Sequence, residues 1–248
     1  MNRFRQKYIL ALMLLAAAGS VSAQPMLVSD NALISAYPNA VVFVGGELIL
    51  QNSASIDNSG QFVVTGDWIN NSGNTGLINS SPGTVALSGA AQNIQGSNVT
   101  DFYTLSLQGT GIKTQQIDAV VQNLLELNDR ELATQNYVMY VDTDNPAAVT
   151  RTTGFVSSDP GGSLSRKTAS TSVYLFPTGA SAVTPRYRPV ELSPSAGSPS
   201  SYTVRMANVN PSSEGADINQ KDTALCVVNP AFYHIVSRTA GNDGATLS

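Results

Sequence analysis

Pairs of apolar residues two positions apart recur through the first half of this chain: Val42/Val44, Phe62/Val64, Val85/Leu87, Leu105/Leu107 and Leu125/Leu127. The steps between pairs are 20, 23, 20 and 20 residues. Residues i and i+2 leave the same face of an extended strand. A repeat of this length marks a stacked solenoid, in which no single unit can bury its own apolar face. The expected fold is all-β: a parallel β-solenoid, β-helix-like, over residues 24–150. Strands one turn apart should pair in parallel and bring Phe62, Leu87, Leu107 and Leu127 into one column. An antiparallel sandwich also uses short strands with frequent turn signals, but the constancy of the interval over five pairs favours the solenoid.

Two weaker series complete each turn. One runs through Leu48, Trp68, Ile94, Ile112 and Leu132, the other through Ile56, Ile78, Val99, Val121 and Met139. Between them lie turn formers: Gly45-Gly46, Asn58-Ser59-Gly60, Asn70-Asn71-Ser72-Gly73, Ser81-Pro82-Gly83 and Gly109-Thr110-Gly111. Residues 124–132 are good helix formers, yet the interval places them as strand, turn, strand. Exposed end turns invite edge pairing, so residues 24–40 are expected to form a cap.

Arg3, Arg5 and Lys7 precede an apolar run over residues 8–18, and Val21-Ser22-Ala23 supplies small residues before Gln24. That is the pattern of a cleaved signal peptide, residues 1–23. The run is about half of the roughly 20 residues a membrane span needs. Cleavage leaves 10 Lys and Arg against 17 Asp and Glu, a net charge of −7. Such a chain repels nucleic acid and anionic lipid. The single cysteine, Cys226, rules out an internal disulfide and sits in an apolar run read as a buried thiol.

After residue 150 the pattern changes. Residues 24–150 carry 2 basic and 11 acidic residues, whereas residues 151–248 carry 8 basic and 6 acidic. Strands are expected at residues 173–176, 188–192, 202–207, 225–228 and 233–236, separated by Pro, Gly and Ser. This reads as an antiparallel β-sandwich-like module over residues 151–248. Ala245-Thr246-Leu247-Ser248 resembles the opening of a further strand, so the sandwich is expected to be incomplete, as in a fragment.

The inventory for chemistry is thin. His234, the sole histidine, would have to serve any Ser-His-Asp or Cys-His site, and it lies in a strand-like run. Cys226 and His234, eight residues apart, cannot alone build a zinc site. Asp142-Thr143-Asp144-Asn145 is the one dense acidic group. It could hold Ca²⁺ loosely but lacks the glycine and distal glutamate of a calcium loop, and reads as a turn closed by Pro146. Asp67-Trp68 could form a sugar platform; the reading preferred here is Trp68 as packing and Asp67 as a turn former. Gly45-Gly46 and Gly161-Gly162 lack the lysine or helix of a phosphate loop. No catalytic, cofactor-binding or metal-ligating residue is assigned, and no enzyme is expected.

Gly66-Asp67-Trp68-Ile69-Asn70, Gly89-Ala90-Ala91-Gln92-Asn93-Ile94-Gln95-Gly96 and Phe102-Tyr103-Thr104-Leu105-Ser106-Leu107 resemble the repetitive N-terminal regions of large secreted and cell-surface proteins of Bacteroidetes. Phe176-Pro177-Thr178-Gly179 and Tyr187-Arg188-Pro189-Val190-Glu191-Leu192 are similar to the segment that follows in the same proteins. The resemblance implies export through a type IX secretion system and an adhesin-like or surface-layer role. It also makes Asp222-Thr223-Ala224 resemble an acceptor for O-linked glycan at Thr223, against the plainer reading of a turn. The expectation is a secreted or cell-surface scaffold without catalysis, whose partners are surface glycans or other surface proteins. The alternatives are a carbohydrate-binding or carbohydrate-active protein on the same fold, and a component of a surface secretion or gliding apparatus.

Overall fold

The twenty-residue spacing becomes a winding of three parallel sheets in the computed structural model, which describes residues 26–77, 82–220 and 228–248. The first face stacks Leu27–Asp30, Leu48–Asn52, Trp68–Ser72, Gln92–Gly96, Lys113–Gln115, Glu131–Ala133 and Phe155–Ser157, all parallel. The second begins with Leu33–Ala36 against Ser55–Asn58, with Ile56 bridging Leu77. In later turns it is carried by residues 100–102, 119–121, Val138–Val141 and Ser163–Thr168. The third stacks Val41–Val44, Gln61–Val64, Thr84–Leu87, residues 104–107, residues 124–126 and Val149–Thr150. The register shift between Phe102 and Thr104 is the corner at which one long strand passes from the second face to the third. About six turns result, roughly 30 Å at the interstrand spacing of a sheet.

The apolar pairs set the register of the third face, in two columns rather than one. Val42, Phe62, Val85, Leu105, Leu125 and Val149 are successive partners, and Val44, Val64, Leu87 and Leu107 form a second column. Phe62 therefore stacks on Val85, not on Leu87, because pairing fixes each residue opposite its equivalent. Phe62, Val64, Leu87, Leu105, Leu107, Leu125 and Leu127 are fully buried. Each such side chain contributes about 1.5–3 kcal/mol by leaving water.

The two weaker series hold in part. Leu48, Trp68 and Ile94 are in register, but the next partner of Ile94 is Gln115, and Ile112 is 39% exposed. Met139 pairs with Ala119 while Val121 pairs with Val141, and Thr100 rather than Val99 is the partner of Ala119. Ile78 lies outside the described residues. Residues 124–132 form strand, turn, strand, with Asn128 at φ 49° in the turn. The N-terminal segment is not a separate cap: Leu27 pairs with Leu48 and Leu33 with Ser55, so these strands are the first turn itself. Their alternation matches that of the turn above, and parallel pairing satisfies their backbone more fully than an unrelated cap would.

Turns stack closely enough for backbone to meet backbone. A Cβ at Gly89 would lie 1.8 Å from the Thr65 carbonyl oxygen of the preceding turn, so only glycine fits. Asn31, Asn39, Asn52 and Asn128 hold positive φ at other corners, as a short polar side chain permits.

Past residue 150 parallel pairing continues to Arg166, which lies opposite Val141. Ser163–Thr168 then takes Ser200–Ala207 antiparallel on its other edge, followed by Tyr233–Ala240. The antiparallel strands thus extend a solenoid sheet. A second antiparallel sheet joins Tyr174–Phe176, Val190–Pro194 and Ala245–Leu247, so the strand expected at residues 188–192 begins two residues later. The expected strand at 225–228 has residues 225–227 outside the described residues, as do the signal peptide, Thr223 and Cys226. Among the described residues no helix is long and apolar enough to cross a membrane.

A clamp fastens this sheet to the solenoid. Arg205 on Ser200–Ala207 donates to Glu214 from Nη1 (2.6 Å) and Nη2 (2.7 Å), and also to the carbonyls of Ser158 and Pro160. The Tyr233 hydroxyl donates to Glu214 as well. These two donors, Arg205 first, hold the Glu214 carboxyl at about 2 against an ordinary 4.5. A carboxylate with a depressed folded pKa contributes its stability above its unfolded pKa and loses it as pH falls through the folded one. The wild type should therefore melt above Glu214→Gln at neutral pH, and the gap should close between pH 4.5 and 2. Melting curves of the two proteins across that range check this; a gap independent of pH would contradict it.

Candidate functional site

Asp67 and Trp68 are structural. Trp68 is fully buried, tilted against Phe102 at 5.2 Å, and its indole N–H donates to the Thr100 hydroxyl at 3.0 Å. A buried indole offers no face to a sugar, so packing is its role. Asp67 reaches the next turn: its carboxylate accepts from the backbone N–H of Asn93 (2.7 Å) and from the side-chain amides of Asn93 (2.8 Å) and Gln95 (3.0 Å). Asp67→Ala should cost about 1–2 kcal/mol in urea denaturation, since it orphans donors held between turns.

The larger surprise lies inside the first face. Gln92, Lys113 and Leu132 are successive partners there, and Lys113 is fully buried. Its ammonium donates to the carbonyls of Gly89 (2.9 Å), Ala90 (2.6 Å) and Thr110 (3.1 Å) and to Gln92 Oε1 (2.8 Å). Gln92 in turn donates to the carbonyls of Val64 and Gly66. Burial, with a smaller push from the charge of Arg130, brings Lys113 down to about 8. One lysine and one glutamine thereby tie three turns together at a corner. Asn58 and Asn70 do the same elsewhere, donating to Thr84 and Val99 carbonyls at 3.0 Å. Sequence reading passed over these residues because Lys and Gln ordinarily face water. The available signal was the isolation of Lys113, one of two basic residues in residues 24–150.

The acidic group Asp142-Thr143-Asp144-Asn145 forms a turn on one wall of an open cleft of about 550 Å³. Lys167, Ser200 and Ser201 help line it, and Lys167 pairs with Asp142 at 2.6 Å. The turn is held from beneath. Arg166, fully buried, donates to the carbonyls of Asn145 and Pro146 (both 2.9 Å), and Tyr174 donates to that of Asp144 (2.8 Å). Burial brings the Arg166 guanidinium down to about 10. It has no carboxylate partner; three carbonyls, counting that of Leu175, and the rings of Tyr174 and Phe176 compensate its charge. Among the described residues no three Asp, Glu, His or Cys side chains gather where they could share a metal ion.

His234 lies beside Thr178 and the Arg188 carbonyl. Its Nε2 donates to the Arg188 carbonyl at 2.9 Å, which assigns the proton to that nitrogen, and Thr178 donates its hydroxyl to the same oxygen. Gly45-Gly46 and Gly161-Gly162 are turn elements: the Gly46 carbonyl accepts from Gly66, and Gly161 donates to Gln135 at 3.0 Å.

Fold and buried side chains define a class: a three-sided parallel β-solenoid, internally braced by polar side chains, whose sheet runs on into antiparallel strands. Comparison with protein-family models, with curated proteins and with solved structures finds no match to this chain.

Proposed function

We propose that this chain is an exported, non-catalytic scaffold of the cell surface, adhesin-like in presenting a stiff β-rich surface. One observation carries the reading: four polar side chains that the solenoid buries, Gln92, Lys113, Asn58 and Asn70, brace successive turns. Shallow contacts repeated along such a rod gain strength by multivalency. The test is whether the protein is reached by protease on intact cells and whether it releases reducing ends from a panel of plant, algal and bacterial polysaccharides. Surface exposure without release is expected; release of reducing ends would overturn the non-catalytic reading.

A second reading, carbohydrate binding, is favoured by the cleft that brings Asp142, Asp144 and Lys167 together among serine and threonine hydroxyls. Neutral oligosaccharide binding abolished by Asp144→Asn together with Lys167→Gln would favour it over a purely passive surface.

A further inference from the structure

Nine Lys and Arg residues lie among those described, and five of them are internal or ion-paired. Lys113 and Arg166 are internal, Arg130 pairs with Asp129, Lys167 with Asp142 and Arg205 with Glu214; Arg238 forms no ion pair and donates to the Asp243 carbonyl, away from the other three. The remaining three, Arg151, Arg186 and Arg188, form no ion pair among the described residues; Arg186 and Arg188 meet on one side of their strand, while Arg151 lies against Tyr187, whose side chain leaves the other side. Arg186 and Arg188 each stack on the ring of Phe232 at 5.4 Å, and Arg151 stacks on Tyr187 at 4.1 Å. The strand Arg186–Tyr187, paired with Gly179–Ala180, carries this group beside the end of the solenoid.

Stacking fixes the plane of a guanidinium and leaves its N–H edges free for a planar oxyanion. Each arginine spends one nitrogen on the protein: Arg151 on the Gly154 carbonyl, Arg186 on Asn208 and Arg188 on the Tyr187 carbonyl. The carboxylate whose charge acts on Tyr187 is Glu191, which is exposed and pairs with none of the three. Two adjacent guanidinium groups with no carboxylate partner among the described residues are unusual on a chain that carries more acid than base. They are the electrostatic footprint of an anionic ligand.

We propose that Arg186 and Arg188, backed by Phe232, bind an acidic saccharide, one bearing a carboxylate or sulfate on an otherwise neutral sugar chain. The acidic solenoid alongside disfavours a continuous polyphosphate or an anionic membrane, because either would bring dense negative charge against residues 24–150. A saccharide with spaced charges places one or two oxyanions on the arginines and leaves neutral rings elsewhere. This site deepens the surface-scaffold reading and rests on it.

The test titrates the full chain with a hyaluronan hexasaccharide, whose charge is carboxylate, a kappa-carrageenan hexasaccharide, whose charge is sulfate on neutral galactose units, a neutral dextran and phosphatidylglycerol vesicles. Binding to at least one acidic oligosaccharide, weakening with salt, is expected. Arg186→Gln combined with Arg188→Gln should raise Kd roughly tenfold or more, with an unchanged melting temperature as the control for folding. Phe232→Leu, which keeps every arginine, should weaken binding about threefold by freeing the guanidinium planes. No binding of either oligosaccharide at about 1 mM, affinity indifferent to the arginines, or vesicles bound as strongly as the saccharide would overturn the proposal. Shortened oligosaccharide products with intact arginine dependence would support the site while overturning the non-catalytic reading.

Discussion

Replacing Lys113 by Met should destabilise the protein by about 2–4 kcal/mol at pH 7, read as a lower urea midpoint with unchanged m-value. The ammonium holds four oxygens, and two of them keep another donor: the Gly89 carbonyl accepts from the Thr110 N–H and Gln92 Oε1 from the Gly89 N–H. The Ala90 and Thr110 carbonyls depend on the lysine. Methionine fills the space but removes the charged donor from both, about 1.5–3 kcal/mol for each hydrogen bond to a charged group before water takes its place at these exposed residues. Relief from burying a charge offsets part of the loss. The pH dependence distinguishes this from simple packing. Folded Lys113 titrates at about 8 against 10.5 for an ordinary lysine. Between those values the unfolded chain holds a proton that the folded chain has released, so wild-type stability rises with pH across the window. The variant has no such group. The gap between wild type and Lys113→Met should therefore widen from pH 8 to 10.5, by on the order of 2–3 kcal/mol. A constant gap would show that the buried amine does not titrate as the structure requires.

Trp68→Ala should cost about 3–5 kcal/mol, the range for a large aromatic cut out of a packed core. The indole fills the space between turns, lies against Phe102 and gives its N–H to Thr100. Alanine leaves a cavity and removes the donor on which the buried Thr100 hydroxyl relies. Trp68→Phe keeps a ring but not the N–H and should lose only about 1–2 kcal/mol. Because Trp68 is the sole tryptophan, native wild-type fluorescence should be blue-shifted and shift red in a single cooperative step on unfolding. A loss below about 1 kcal/mol for the alanine variant would mean that Trp68 is not part of the shared core.

The third face was legible because its signal is redundant. Val42, Phe62, Val85, Leu105 and Leu125 are aliphatic or aromatic at a repeating interval, and each predicts its neighbours. The first face was legible only through Leu48, Trp68 and Ile94. At the next turn the inward positions pass to Lys113 and Gln115 while Ile112 turns outward. Hydrophobicity then points the wrong way, because a lysine surrounded by carbonyl oxygens is satisfied in a place where pattern reading expects isoleucine. The cap expected at residues 24–40 rested on the need to cover an end turn against edge pairing; in the structure Leu27–Asp30 and Leu33–Ala36 pair as the end turn itself, and Met26, Leu33, Val41 and Phe43 stay exposed on it. The arginine pair was invisible in sequence, since Arg186 and Arg188 find a shared partner only in Phe232, more than forty residues on.

Sequence by itself determined that the first half winds as a parallel coil, because a period of two within strands and about twenty between them has few other solutions. Tertiary structure alone decided which polar residues enter the core, how the last parallel strand becomes the first antiparallel one, and which cations are left without partners. Periodicity is a local property that one strand can announce. The satisfaction of a buried ammonium or a surface guanidinium depends on atoms tens of residues away, and only the folded chain brings them within reach.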